Sequence, residues 1–155
     1  MSVCRRNYPK KYRAKQFFTM LGAIALSSSV LLGIKLANTT AFSDIQGDRT
    51  FYLYSDSSQA LQTQTLRLDE LDNVCGESVR FSVVEGERDM LAESIAKRYG
   101  ARILFQEEAC GVTSYYCYAP KLLGGVMLAG EKVNLHIAVG EEQAAVGSPI
   151  IFGGF

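Results

Sequence analysis

The sequence has few of the residues from which metal sites are built. It contains one histidine, His136, and four cysteines, with no C-x-x-C or H-x-x-x-H spacing in its 155 residues. Structural zinc sites take four ligands from closely spaced cysteines and histidines. The sequence therefore predicts no metal site, and no group of residues indicates another cofactor or identifies catalytic residues.

Acidic residues are missing from the start of the chain. The first 35 positions hold seven basic residues and no acidic one, and six of the seven precede Gln16. The remaining residues carry 9 basic and 16 acidic side chains, which gives them a net charge of −7. A negatively charged domain repels nucleic-acid phosphates. We therefore expect no nucleic-acid partner.

Charged residues are also missing from Phe17–Ile34, a run of 18 residues. This length is just enough to span a bilayer as a helix, and the positive side of such a helix stays in the cytoplasm. A secretion signal cleaved near Ala41 is one alternative, but the run exceeds the roughly 7 to 15 residues usual for a signal core. A buried soluble helix is another, and the upstream cations oppose it. The sequence predicts a single-pass membrane protein whose C-terminal domain is extracytoplasmic, or a secreted domain if the signal is cleaved.

The chain is predicted to have four segments. They are a basic cytoplasmic arm at 1–15, a transmembrane signal-anchor at 16–35, a linker at 36–49 and an extracytoplasmic α+β domain at 50–155. Apolar residues make up 48% of the chain, which is enough for a packed core. The linker is predicted because its residues are mostly small and polar.

The domain is predicted to be an antiparallel sheet of about five strands with one helix packed on one face. The helix is predicted at Glu87–Tyr99, where Leu91, Ala92, Ile95 and Tyr99 form one apolar stripe and Gly100 follows as a C-terminal cap. The strand candidates share β-branched and aromatic residues between turn signals: Thr50–Ser55, Gln62–Leu68, Ser78–Val84, Ala101–Glu107, Val112–Tyr118, Val133–Val139 and Ala144–Phe152.

Two of these strands are predicted to form a hairpin around a four-residue loop at 108–111. In that register Phe105 and Tyr116 lie on one side, and Thr113, Tyr115 and Cys117 lie on the other. One residue more or less in the loop would exchange the two sides.

Three segments of the domain resemble a known family. They read T-S-Y-Y-C-Y-A-P, K-V-N-L-H-I-A-V and V-G-S-P-I-I, and they look like the corresponding segments of the YwmB family of Gram-positive bacteria. The resemblance covers about residues 75 to 152. It implies a membrane-linked or exported α+β protein with a fold similar to the TATA-box-binding protein and no established activity. A shared fold does not carry DNA binding with it.

The sheet face opposite the helix is the predicted functional surface. By alternation it should carry the candidate binding residues Thr113, Tyr115, Asn134 and His136, edged by the loop at 122–130. The alternative is that the strands within 50–68 cover this face.

The cysteines leave two further questions open. Cys117, His136 and Asn134 are the residue types of a Cys-His-Asn catalytic group, although ordinary polar residues on a sheet face are the favoured reading. Cys75 could bridge Cys110 or Cys117, or all three could be free thiols.

The sequence thus predicts a membrane-anchored extracytoplasmic accessory or binding domain of the bacterial cell envelope. Its expected partners are the membrane and an envelope protein. A Cys-His dependent enzyme is the first alternative, and DNA binding on a TATA-box-binding-like sheet is the second, which the acidic charge opposes.

Overall fold

The computed structural model describes residues 10–56, 60–84 and 86–153, with side chains from Phe17 to Gly33 and from Thr40 onward. The chain divides into two compact units, 1–38 and 39–155. The first consists mainly of helix α1, Lys10–Thr39. The beginning of the predicted basic arm, 1–9, lies outside the described residues. Within the part of the chain that the structure describes, no helix is at once long and apolar enough to cross a membrane.

The second unit is a mixed α+β domain built on a large antiparallel sheet. Besides one turn of 3-10 helix at Leu71–Asn73, its elements in chain order are β1 (Asp48–Leu53), β2 (Leu61–Thr63), β3 (Val74–Ser82), α2 (Arg88–Tyr99), β4 (Arg102–Ala109), β5 (Val112–Tyr118), β6 (Val126–Leu128), β7 (Glu131–Val133), β8 (Leu135–Val139) and β9 (Gln143–Ser148). The prediction of an antiparallel α+β domain is confirmed.

The sheet is larger than predicted. Seven strands join in the order β2-β1-β3-β9-β8-β5-β4, and β6 and β7 form a separate small hairpin. The prediction of about five strands was wrong because β1 and β2 pair beside β3 and extend the sheet. The alternative prediction, in which these two strands cover the sheet face, was therefore wrong, because both strands are part of the sheet.

Helix α2 matches its sequence signals. Ile95 is buried and Leu91 and Tyr99 pack against the core, so the predicted stripe faces the sheet. The helix ends at Gly100, whose φ of 61° is left-handed and favours glycine because a side chain is strained there. The helix contacts β8 and β4, so one sheet face is covered as predicted.

Strand pairing defines which residues share each face. Val79, Val146, Ile137 and Tyr115 are successive cross-strand partners, and they belong to the core that contains Ile95. We call this side the helix face. Residues one position away point to the opposite side, which we call the outer face; it carries Ser78, Gly147, His136 and Tyr116.

The β4–β5 hairpin differs from its prediction. Its turn has two residues, Cys110 and Gly111, which both have positive φ, as tight hairpin turns require. Phe105 pairs with Tyr116, so these two share a side as predicted. A bulge between Ile103 and Phe105 places Ile103 opposite Cys117, on the other side from Phe105. Because β8 fixes the orientation of β5, it is Tyr116 that reaches the outer face.

The segment predicted as a linker contributes to the core. Phe42 is fully buried, and its ring meets that of Tyr99 edge-on at a centroid distance of 5.4 Å. The backbone N–H groups of Ala41 and Phe42 donate to the Glu77 carboxylate at 2.8 and 3.3 Å. The domain therefore begins about ten residues earlier than the sequence indicates, because one aromatic side chain in a polar segment enters the core.

The segment after β9, Pro149–Phe152, crosses the outer face, and we call it the C-terminal strap. Ile151 N–H donates to His136 Nδ1 at 3.2 Å, and Gln62 Nε2 donates to the carbonyl of Phe152 at 3.3 Å. A Cβ on Gly147 would lie 2.7 Å from Ile151 Cγ1, so glycine allows this close approach. The strap covers the middle of the outer face, and its Phe152 ring reaches Tyr52 on β1, where the ring centroids are 5.0 Å apart.

Candidate functional site

Asn134 was predicted as a binding residue, and its side chain is used within the fold. Its Oδ1 accepts from Ala119 N–H at 2.7 Å, and its Nδ2 donates to the carbonyls of Ala119 and Leu122 at 2.8 and 2.9 Å. The residue is buried. A primary amide has two N–H donors, and both are occupied here. Asn134 therefore holds the turn after β5 in place and has no donor left for a ligand.

His136 lies on the outer face as predicted, but it is buried in a ring stack beneath the strap. Its ring stacks on that of Tyr116, which in turn stacks on that of Phe105, and both centroid distances are 4.6 Å. Because Nδ1 accepts a hydrogen bond from Ile151, the ring is neutral with its proton on Nε2. Burial lowers the pKa of His136 to about 4. Nε2 is buried without a hydrogen-bond partner among the described residues.

Tyr115 and Thr113 do not join His136. Tyr115 pairs with Ile137 and packs against the core on the helix face, and Thr113 shares that side by alternation. The prediction that all four binding residues share one face was wrong. Alternation correctly predicts which residues within one strand share a side. It does not predict which side of β5 lies on the same face as His136.

The Cys-His alternative finds no geometric support. Cys117 is buried on the helix face, whereas His136 is on the outer face. A nucleophile and its base must lie within hydrogen-bonding reach. Burial also raises the pKa of the Cys117 thiol to about 12, which keeps it protonated at neutral pH. Cys117 is a core residue, and Cys75, Cys110 and Cys117 are all free thiols.

No set of metal ligands occurs in the described part of the chain. A group of three or more histidine, cysteine, aspartate or glutamate side chains that could hold an ion is not found there.

The part of the outer face over β1 and β3 forms a polar groove of about 320 Å³, bounded on one side by the strap. Tyr52 and Ser78 form its floor, where their hydroxyl oxygens are 2.7 Å apart. Gln62 and Gln64 stand on the side of β2, and Ile151 and Phe152 on the side of the strap. The remaining lining residues are Asp48, Thr50, Arg80 and Ala145. Five elements of the fold thus contribute to one concave polar surface.

The groove could not be located from the sequence. Its polar lining residues on β1 and β3 alternate in the sequence with Phe51 and Val79, a pattern typical of a strand with one polar face. Its walls depend on the position of the strap and on the pairing of β2. The position of the strap is set by long-range contacts such as that between Phe152 and Tyr52, whose ring centroids are 5.0 Å apart.

A larger cavity of about 440 Å³ lies at the end of β1 and β3, lined by residues that include Cys75, Glu77, Leu123 and Pro149. The Glu77 carboxylate is buried, and it accepts the N–H groups of Ala41 and Phe42. Arg49 Nε lies 3.2 Å from it, without hydrogen-bond geometry. Burial raises the pKa of Glu77, and this effect exceeds the lowering by the two hydrogen bonds and by the charge of Arg49. Because the carboxylate already holds the start of the domain, this cavity offers a ligand less free polar chemistry than the groove.

No family model matches the chain, and the searches found no matching curated protein or solved structure. The resemblance to the YwmB family therefore stays a prediction.

Proposed function

We propose that this chain is a membrane-anchored, extracytoplasmic binding domain of the bacterial cell envelope, and that the polar groove is its ligand site. The observation that carries the proposal is the groove itself. Ligand sites are concave and combine apolar contact with a few convergent polar groups, and the groove has both. The candidate catalytic residues are used in the fold: Asn134 by three hydrogen bonds, Cys117 in the core and His136 under the strap.

The placement in the envelope rests on the sequence. Six cations precede an uncharged run of 18 residues, which favours an N-terminal anchor with the domain outside. The free cysteines are compatible with this placement in a cell whose envelope does not oxidise them. The resemblance to the YwmB family and its TATA-box-binding-like fold belong to the same proposal, with no DNA binding implied.

Site-specific photocrosslinking in intact cells tests the proposal. A photoreactive amino acid replaces Gln64, which is exposed on the wall of the groove. In the matched control it replaces Ser94, which is exposed on α2. We expect an envelope component to crosslink from position 64 and not from position 94. The same products from both positions, or none from position 64, would contradict the groove as the binding site.

A further inference from the structure

We infer that the groove binds a neutral saccharide, a ligand class that rests on the function proposed above. The inference follows from three properties of the lining: its hydrogen-bonding groups, its balanced charge and its single apolar wall.

The hydrogen-bonding groups suit hydroxyl groups. A sugar hydroxyl both donates and accepts, so its partners need donors and acceptors close together. Carboxamides and hydroxyls supply both, and the groove holds the carboxamides of Gln62 and Gln64 and the hydroxyl of Thr50. The hydroxyls of Tyr52 and Ser78 are buried at its floor and hydrogen-bond to each other. One N–H of the Gln62 carboxamide donates to the carbonyl of Phe152. This bond orients the side chain, and its Oε1 and its second N–H can bind a ligand. Such preorganised groups lose little entropy when a ligand binds.

The charges of the groove favour a neutral ligand. Its lining contains one carboxylate, Asp48, and one guanidinium, Arg80. These residues are directly opposite each other on β1 and β3. Opposite charges at this spacing offset each other. An anion or a cation in the groove would therefore meet one like charge as well as one unlike charge, whereas both side chains can hydrogen-bond to neutral hydroxyls.

The apolar wall suits one face of a sugar ring. Phe152 lines the groove, and its ring meets that of Tyr52 in a T-shaped arrangement with an interplanar angle of 69°. The face of an aromatic ring carries negative charge density, which attracts the weakly positive C–H groups that a pyranose presents on its apolar face. Ile151 continues this wall. A volume of about 320 Å³ is at the lower end of ligand sites, so the expected ligand is small.

Saturation-transfer-difference NMR of the full chain tests the inference. The protein is kept in a detergent without a sugar headgroup, and N,N′-diacetylchitobiose, cellobiose and maltose are the neutral probes. Glucosamine and glucuronic acid are the charged probes. We expect saturation transfer to the ring C–H protons of at least one neutral disaccharide, with at least tenfold weaker binding of both charged sugars.

Two variants locate the binding. Gln64→Ala removes one carboxamide of the groove, and Gln106→Ala removes another exposed glutamine, which lies on β4. Both should keep the circular dichroism of the unchanged protein. We expect at least a fivefold loss of saccharide affinity in Gln64→Ala and none in Gln106→Ala. Equal affinities, or no transfer to any neutral probe, would overturn the saccharide assignment.

The crosslinking experiment separates this failure from a failure of the proposed function. If position 64 crosslinks to an envelope component and no saccharide binds, the groove is a binding site for another ligand class. If neither occurs, both proposals fail.

Discussion

At the scale of single residues, His136 is the group whose protonation should affect folding most directly. Its pKa is about 4 in the fold against 6.5 for the free side chain. Between these values the unfolded chain binds a proton at this side chain that the folded chain does not, so the contribution of His136 to the free energy of unfolding should fall as the pH falls from 6.5 to 4 and level off below. The two pKa values correspond to about 3 kcal/mol. Urea unfolding measured across this pH range checks the prediction.

A matched variant isolates the contribution of the histidine. His136→Asn places an amide oxygen near the position of Nδ1, where it can still accept from Ile151 N–H. Asparagine does not titrate, so the variant should show a flatter pH dependence between 4 and 6.5 even if it is less stable throughout. The same slope in both proteins would show that other groups dominate this range.

Asn134 gives a prediction about stability alone. Asn134→Ala would leave the N–H of Ala119 and the carbonyls of Ala119 and Leu122 without their partner. Buried polar groups left unpaired are costly, and we expect a loss of about 3 kcal/mol or more. Asn73→Ala, at an exposed position, is the control and should change stability little. Equal unfolding midpoints for the two variants would contradict the assigned role of Asn134.

The role of Asn134 could not be predicted from its position in the sequence. Alternation correctly marks it as polar among apolar neighbours, and an exposed binding residue is the simplest interpretation of that pattern. Its partners are 12 and 15 residues earlier in the chain, where the turn after β5 folds back on it. Polar residues in exposed and in buried networks give the same local signal, and only the long-range fold separates them.

At the scale of elements, α2 was the most predictable part of the domain because its apolar stripe and its glycine cap agree. This agreement leads to a direct test of its packing. Ile95→Asp would place an unpaired carboxylate where the side chain is now 5% exposed, at a cost on the order of 3 kcal/mol or more. Ser94→Asp, on the exposed side, should be nearly neutral. Thermal unfolding of both variants checks this, and equal midpoints would show that another side of the helix meets the sheet.

The strands were less predictable than the helix. Val112–Tyr118 was predicted with its observed bounds, because a proline and a glycine closely follow and precede it in the sequence. The bulge next to Ile103 was not predicted, since a single extra residue leaves the alternating pattern almost unchanged. That bulge and the two-residue turn decide which side chains of the hairpin enter the core. Assigning residues to a sheet face therefore requires knowledge of how neighbouring strands pair, and a single sequence does not supply it.

At the scale of the whole molecule, Phe42 changes the expected start of the folded domain. Helix α1 ends at Thr39, and Ala41 and Phe42 are already held by Glu77. The folded domain therefore includes part of the segment 36–49 that the sequence predicts as a linker, because Phe42 is fully buried in its core.

The cysteines allow the proposed topology to be tested without changing the fold. Cys110 is exposed in the β4–β5 turn, and Cys75 is half-buried with its thiol directed at the carbonyl of Tyr52. Because basic residues surround Cys4 and none of the acidic residues precedes Lys35, we expect Cys4 to be cytoplasmic and Cys110 to be outside. A membrane-impermeant maleimide applied to intact cells should therefore label the chain mainly at Cys110.

Cys110→Ser should lose most of this label, and Cys4 should react only after the cells are permeabilised. Labelling of Cys4 alone in intact cells would reverse the orientation, and labelling of Cys110 on a shortened chain that lacks Cys4 would show that the N-terminal helix is a cleaved signal.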